Sequence, residues 1–361
     1  MGKGNIMIKY NFDEIIDRRK TDSIKWSEKF LKEKFGDEKI IPMWIADMDF
    51  KVAEPIVEMI TDRARHGIFG YGHKSAEFME AAVNWQKKRN GWNIEKEWML
   101  FTPGIIPALN FIVKTFCCPG DKVIIQNPVY HPFANVITNN GCHIVNNPLV
   151  LNDGKYEMNF SGLETIAQYS KTKLMFLCSP HNPVGRVWTS EELKQLGEIC
   201  LKNDILVVSD EIHLDLIYLP NRHIPFGKVS KEFEMNSIVC TSSSKTFNLA
   251  GLQVSNIIVP NEKLRKKLNR KLSSINIAPG TFASVAQIAA YNKGEKWLEQ
   301  LIIYLQNNLD FIDKFLKERI PRVKMIRPEG TYLAWLDFSD FNLTDIELHQ
   351  LMRKKAKAEE S

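Results

Sequence analysis

The chain has 361 residues, with 48 Lys and Arg against 43 Asp and Glu for a formal charge of +5, and 44% of its residues are hydrophobic. This is a globular mixture with room for roughly two domains at ~150 residues each. Five dispersed excess positives exclude a nucleic-acid stripe, which needs a concentrated row of cations, and no apolar run approaches the ~20 residues of a bilayer span.

The opening MGKGNIMIKYNFDEIIDRRK acquires acids and bases before an apolar h-region could form, so it does not read as a secretory signal. Ile6 stands where a myristoylation signal has a hydroxyl residue. Residues 1–50 carry no pattern of their own and are expected to pack across both lobes. Phe101-Thr102-Pro103-Gly104-Ile105-Ile106-Pro107 opens a helix whose buried face is Ile105, Leu109, Ile112, Val113 and Phe116. Five short apolar runs follow, at 122–126, 173–178, 205–209, 237–241 and 254–259, alternating with amphipathic helical patterns. That alternation predicts an α/β fold with a mostly parallel, doubly wound sheet, occupying 51–280. Thr189 and Glu192 have capping-box spacing ahead of the helix that carries Leu193, Leu196 and Cys200. From about 261 to 319 the pattern is helical. MIRPEGTYLAWLDF then reads as two short strands around a Pro-Glu-Gly turn, with a helix from about Thr344. Residues 281–361 are therefore expected to form a smaller α+β domain. Cysteines at 117, 118, 142, 178, 200 and 240 show no C-x-x-C pair and no metal-ligand rhythm, which predicts no metal and a reducing cytoplasm.

Ligands of open α/β sheets bind at the carboxyl ends of the strands. Three runs end in chemistry there: 173–178 leads into Ser179-Pro180-His181-Asn182, 205–209 into Asp210-Glu211-Ile212-His213, and 237–241 into Ser242-Ser243-Ser244-Lys245. An amide, a carboxylate and an amine on one rim are what pyridoxal phosphate requires. Lys245 would supply the amine that condenses with the aldehyde, Asp210 would pair with the ring nitrogen, and Asn182 would hold the ring oxygen. The helix opened by Gly104 would offer free backbone N–H groups to the phosphate, with Ser242 and Ser244 adding hydroxyls. Tyr130, in the turn after 122–126, would cover a ring face. Taken singly each residue has a structural reading: an Asn-Pro turn, an aspartate helix cap, a solvated lysine, a core tyrosine, a satisfied histidine. Their joint placement, each behind an apolar run and each meeting a different need of one cofactor, outweighs those readings.

The runs S-P-H-N-P-V-G-R-V-W, S-D-E-I-H-x-D-L and S-S-S-K-T-F-N-L-A-G-L resemble class I/II, fold-type I aminotransferases, and more narrowly cystathionine β-lyases of the MalY/PatB type, also called C–S lyases. P-M-W-I-A-D-M-D-F at 42–50, F-G-Y-G at 69–72, T-P-G-I-I-P-A-L at 102–109 and P-E-G-T-Y-L-A-W-L-D-F at 328–338 extend the resemblance from about Tyr10 to about Lys355. It implies Lys245 as Schiff-base lysine and general base, Asp210 on the pyridine nitrogen, Asn182 and His213 at the ring oxygen, and Tyr130 on the ring. It further implies phosphate held by Ser242, Ser244 and the backbone of Gly104, Ile105 and Ile106. Gln253 stands where many aminotransferases place a phosphate-binding arginine. Tyr71 matches a tyrosine that reaches the neighbouring subunit's phosphate, implying a homodimer. The implied reaction is β-elimination on an L-amino acid bearing sulfur at Cβ, cystathionine giving homocysteine, pyruvate and ammonia. The family's substrate-carboxylate arginine lies on a strand beyond the helix near Thr344, past Ser361, and Arg353 is not its match. The small domain is thus expected to be incomplete and to leave apolar surface exposed. A true aminotransferase and a cofactor-binding protein with little or no catalysis are the alternative readings.

Overall fold

The computed structural model describes residues 9–356, 358 and 359. The Met-Gly start and Ile6 lie outside the described residues. The chain divides into two units. One comprises the residues up to Lys51, Asn307–Met325 and Leu336 onward, and the other comprises Val52–Gln306 and Ile326–Trp335.

The larger unit is built on seven strands: β1 (Met99–Thr102), β2 (Lys122–Ile125), β3 (His143–Asn146), β4 (Thr172–Cys178), β5 (Leu206–Asp210), β6 (Ser237–Thr241) and β7 (Ser255–Ile258). Their order in the sheet is β1-β7-β6-β5-β4-β2-β3. Only β7 is antiparallel to its neighbours, β1 and β6. The five apolar runs expected to be strands are all strands. β5 and β6 are buried at every position, which is why they read as continuous apolar runs without polar alternation.

Period-2 geometry sorts the strand side chains into two cores. Val123, Ile125, Leu174, Phe176, Cys178 and Val208 join the cluster containing Ile105, Leu109 and Ile112 of one helix. Ile124, Met175, Leu177 and Val207 join the cluster containing Leu193, Leu196 and Cys200 of another. Those helices are Ile105–Phe116 and Ser190–Lys202, one on each face of the sheet, as a doubly wound fold demands. The second starts on the expected capping box, Thr189 accepting from Glu192 N–H while the Glu192 side chain accepts from Thr189 N–H.

Helix Thr281–Lys293, expected beyond a boundary at 280, falls in the larger unit, which runs to Gln306 and takes in Ile326–Trp335 as well. Its small face (Ala283, Ala286, Ala289, Ala290) packs close to helices Glu54–Arg65 and Ala76–Asn90, and Ala283 joins a cluster with Phe78, Phe101 and Val254.

In the smaller unit, helix Glu28–Phe35 is capped by Ser27 and ended by Gly36 at φ 81. Leu31, Phe35 and Ile40 form its core with Trp44, whose ring stacks on Phe30 at 5.1 Å and lies under Lys34 Nζ at 3.9 Å. Arg18 bridges Asp47 and Asp49 at 2.9 and 2.7 Å. Helix Asp345–Leu351 starts on Thr344 in a second capping box, where the sequence places it. Phe311, Phe315 and Ile346 of this unit are exposed. Among the described residues no helix is long and apolar enough to cross a membrane.

Candidate active site

The strand register sets the ends of β4, β5 and β6 side by side. Asp210 ends β5 and is paired with Cys178 at the end of β4 and Cys240 of β6. Both cysteines are buried, as is Asp210 itself at 3% exposure. Desolvation among these side chains pushes its carboxyl up to about 7, against a backbone hydrogen bond from Ile212 N–H at 3.1 Å; the neighbouring Glu211 charge adds to the rise, and the Lys245 charge opposes it. Lys245 sits on the short helix Ser243–Thr246, directly after β6.

The Lys245 charge also acts on His213, which follows Asp210 by three residues. Burial first, and that charge second, bring His213 down to about 3, so its ring is neutral at physiological pH. Its Nδ1 is buried with no hydrogen-bond partner among the described residues. Tyr332 meets the His213 ring edge-on at 5.7 Å. Tyr130 lies at the same place: its phenol is shifted upward by burial and then by the charges of Asp210 and Cys178. Asn182 is fixed through its backbone N–H, which donates to Cys178 Sγ at 3.3 Å. Beside it, buried His181 donates from Nε2 to the Pro128 carbonyl at 2.9 Å, tying the Asn182 turn to the Tyr130 turn.

A second group of residues could form an anion cradle. Gly104 is the N-cap of Ile105–Phe116, at φ 144, with no side-chain cap, so no side chain of the cap position covers the first N–H groups. Thr102, at the end of β1, faces Ser255 of β7 in register, their hydroxyls 2.9 Å apart, and donates to the Gly104 carbonyl. One residue before Ser255, the Val254 carbonyl accepts from Ser242 Oγ at 2.6 Å. Ser242 Oγ also lies 2.8 Å from Ser244 Oγ and accepts from Ser244 N–H at 3.0 Å. The cradle helix and the Lys245 turn are thus joined through one strand, β7.

Three other named residues have surroundings of their own. Tyr71 is fully exposed, with Ile68 and Phe69 exposed beside it. Gln253 closes a 3₁₀ turn in the left-handed region at φ 53 and is exposed. Arg353 lies over the Phe35 ring at 5.3 Å, within the smaller unit.

Three polar groups escaped the sequence reading. Glu211 accepts from Ser209 Oγ, Phe226 N–H and His223 Nε2 at 2.8–2.9 Å. Arg186 pairs with Glu192 and Glu329 and so holds the Pro-Glu-Gly turn. Asp215 accepts from Trp85 Nε1 and Thr246 Oγ1. Their partners lie up to 143 positions away in the chain, so only the acid-rich S-D-E-I-H-L-D segment itself could have signalled two of them.

The donor set fits pyridoxal phosphate on observations of this structure: a buried carboxyl raised by desolvation, a buried imidazole nitrogen with no partner among the described residues, a helix N-terminus without a side-chain cap, and an amine within electrostatic reach of both Asp210 and His213. The fold is that of fold-type I pyridoxal-phosphate enzymes. The chain resembles cystalysin from Treponema denticola, solved with a pyridoxal 5'-phosphate cofactor, at TM-score 0.93 and 33% identity over 97% of this chain and 89% of that one. It resembles the PLP-bound C–S lyase from Staphylococcus hominis at TM-score 0.91 and 37% identity, over 98% and 90%. Among curated proteins it is 44% identical to cystathionine beta-lyase PatB of Bacillus subtilis (strain 168), over 96% of this chain and 89% of the relative. It is 31% identical to protein MalY of Escherichia coli (strain K12) over the same shares. Residues 38–358 match the family described as aminotransferase class I and II, and the chain belongs to that family.

Proposed function

We propose that this chain is a pyridoxal-phosphate-dependent carbon–sulfur β-lyase that acts on L-cystathionine or related S-substituted L-cysteines and releases a thiol, pyruvate and ammonia. The reading is supported by the electrostatic proximity of Lys245, Asp210, His213 and Tyr130, which follow or end β6, β5 and β2, in a chain 44% identical to a cystathionine beta-lyase over nearly its full length. When bound, the cofactor supplies an electron-withdrawing ring that lets the substrate Cα–H ionise and the β-substituent depart.

The chain's own residues do the rest. Asp210 offers the ring nitrogen a carboxylate that has lost its hydration, so a cation there recovers what burial cost. Tyr130 covers one face of the ring, and Asn182 and neutral His213 stand at its oxygen. The N–H groups after Gly104, with Ser244 steadied by Ser242, hold the phosphate. Lys245 Nζ, once unprotonated, takes the Cα proton. The exposed Ile68-Phe69-Gly70-Tyr71 segment supports a homodimer in which Tyr71 reaches the neighbouring copy's phosphate. All six cysteines are free thiols, which supports a reducing cytoplasm.

The test is to supply cystathionine and assay pyruvate against amino transfer to a keto acid. Pyruvate release in the parent and none in Lys245→Ala is the expected result. Amino transfer without pyruvate would establish the aminotransferase reading. Cofactor absorbance with no product from either assay would establish a non-catalytic binder.

A further inference from the structure

Lys245 stands on a helix of four residues, too short to hold its own orientation, so something else must fix the turn. On one side Ser242 caps it. On the other, Thr246 Oγ1 donates to Asp215 Oδ2 at 2.8 Å, both residues being buried. Asp215 accepts in addition from Trp85 Nε1, 3.1 and 3.0 Å from its two oxygens, and has Arg89 Nε 3.8 Å from Oδ1. Trp85 in turn packs edge-on against Phe247 at 5.6 Å and stacks on Tyr291 at 5.3 Å. The carboxylate is therefore locked from two sides before it meets Thr246. It also lies on the segment that carries Asp210 and His213, so one side chain connects the group expected at the ring nitrogen with the backbone that bears the amine.

We infer that Asp215 and Thr246 are positioning residues for Lys245: the buried carboxylate holds the threonine hydroxyl and thereby sets where the turn presents the lysine relative to Asp210 and His213. This rests on the assignment of Lys245 under the proposed function and deepens it. Small misplacements of a reacting group are costly, about 100-fold in rate for about 1 Å. The effect should fall on kcat, since nothing in the tether need touch the substrate.

The experiment uses the full-length protein and three variants: Thr246→Val, Thr246→Ser and, as a control for loss of a buried threonine hydroxyl elsewhere, Thr172→Val. Thr172 Oγ1 donates to the Tyr169 carbonyl at 2.9 Å at the start of β4, the end away from the site. Two quantities are read: steady-state pyruvate release from cystathionine, and the rate at which added pyridoxal phosphate becomes covalently attached to Lys245, followed by borohydride reduction and mass spectrometry. Thr246→Val is expected to lower kcat about 10- to 100-fold with KM within about twofold, and to slow attachment by a similar factor. Thr246→Ser is expected within about threefold of the parent in both, and Thr172→Val to match the parent. Should the valine variant fail to fold, Thr246→Ala takes its place. Parental kcat and attachment in Thr246→Val, or a serine variant as slow as the valine one, would overturn the inference. Lys245→Ala, run alongside, separates the two levels. If it still turns over, the lysine assignment itself is wrong; if it is dead while Thr246→Val is parental, only the tether is wrong.

Discussion

A carboxyl group raised to about 7 by burial is a group waiting for a cation, and at Asp210 the conflict between folding and function sits in one side chain. Asparagine in its place removes the desolvated charge but cannot offer a full charge to a ring nitrogen. Asp210→Asn should therefore bind pyridoxal phosphate about 10- to 100-fold more weakly, the worth of about 1.5–3 kcal/mol for a hydrogen bond to a charged group. The same variant without cofactor should melt at the parental temperature or above it. Fluorescence titration and calorimetry read the two effects, and a variant that binds normally would remove Asp210 from the cofactor site. The candidate residues Asp210, Lys245 and Asn182 stand out in the sequence because each follows an apolar run, and strand ends in such sheets share one rim. The Asp215–Thr246 and Glu211–His223 pairs do not, since a hydrogen bond between segments leaves no period or spacing in the chain.

Turns carry the next level. Gly185, in the turn after β4, has φ 72, and a Cβ there would lie 2.4 Å from Pro328 Cβ and 2.8 Å from its Cα. The same glycine accepts at its carbonyl from the N–H groups of Glu329 and Gly330. Alanine would meet both a left-handed backbone and a clash with backbone, so Gly185→Ala should cost about 3 kcal/mol, from about 1–2 for the conformation and about 1–3 for the overlap. Denaturant melts should show it, and an unchanged midpoint would mean that the Pro-Glu-Gly turn yields freely. The five central strands were readable because burial on both faces demands continuous apolar residues. β3 was not, because it buries only Val145; β1, although buried at all four positions, runs almost directly into the helix that follows Gly104. The helix at 281–293 was legible as a helix, but its alanine face does not say what it packs against.

For the molecule as a whole, buried thiols set an alkaline limit. Burial raises Cys117 and Cys200 to about 12 from 9.0, and Cys178 and Cys240 also rise. Above the unfolded value the unfolded chain gives up these protons while the folded chain keeps them, so the folded state binds more protons and loses stability as pH rises. The melting temperature should fall from about pH 8.5 to about 10.5, and less steeply in Cys200→Ala. A flat profile would show that these thiols ionise in place. The order of the patterns carries the α/β sheet, but not the placing of Thr281–Lys293 in the larger unit, because that depends on which helix covers which face.

The reversal of β7 has a mechanical consequence. A parallel successor to β6 would require a crossover of about a dozen residues or more, usually a helix, leading away from the rim. Here the chain instead comes back at the same end of the sheet, from Thr241 at the end of β6 through Ser242–Val254 to Ser255 at the start of β7. The amine therefore rides on a span whose two ends are both held in the sheet, by β6 and by β7.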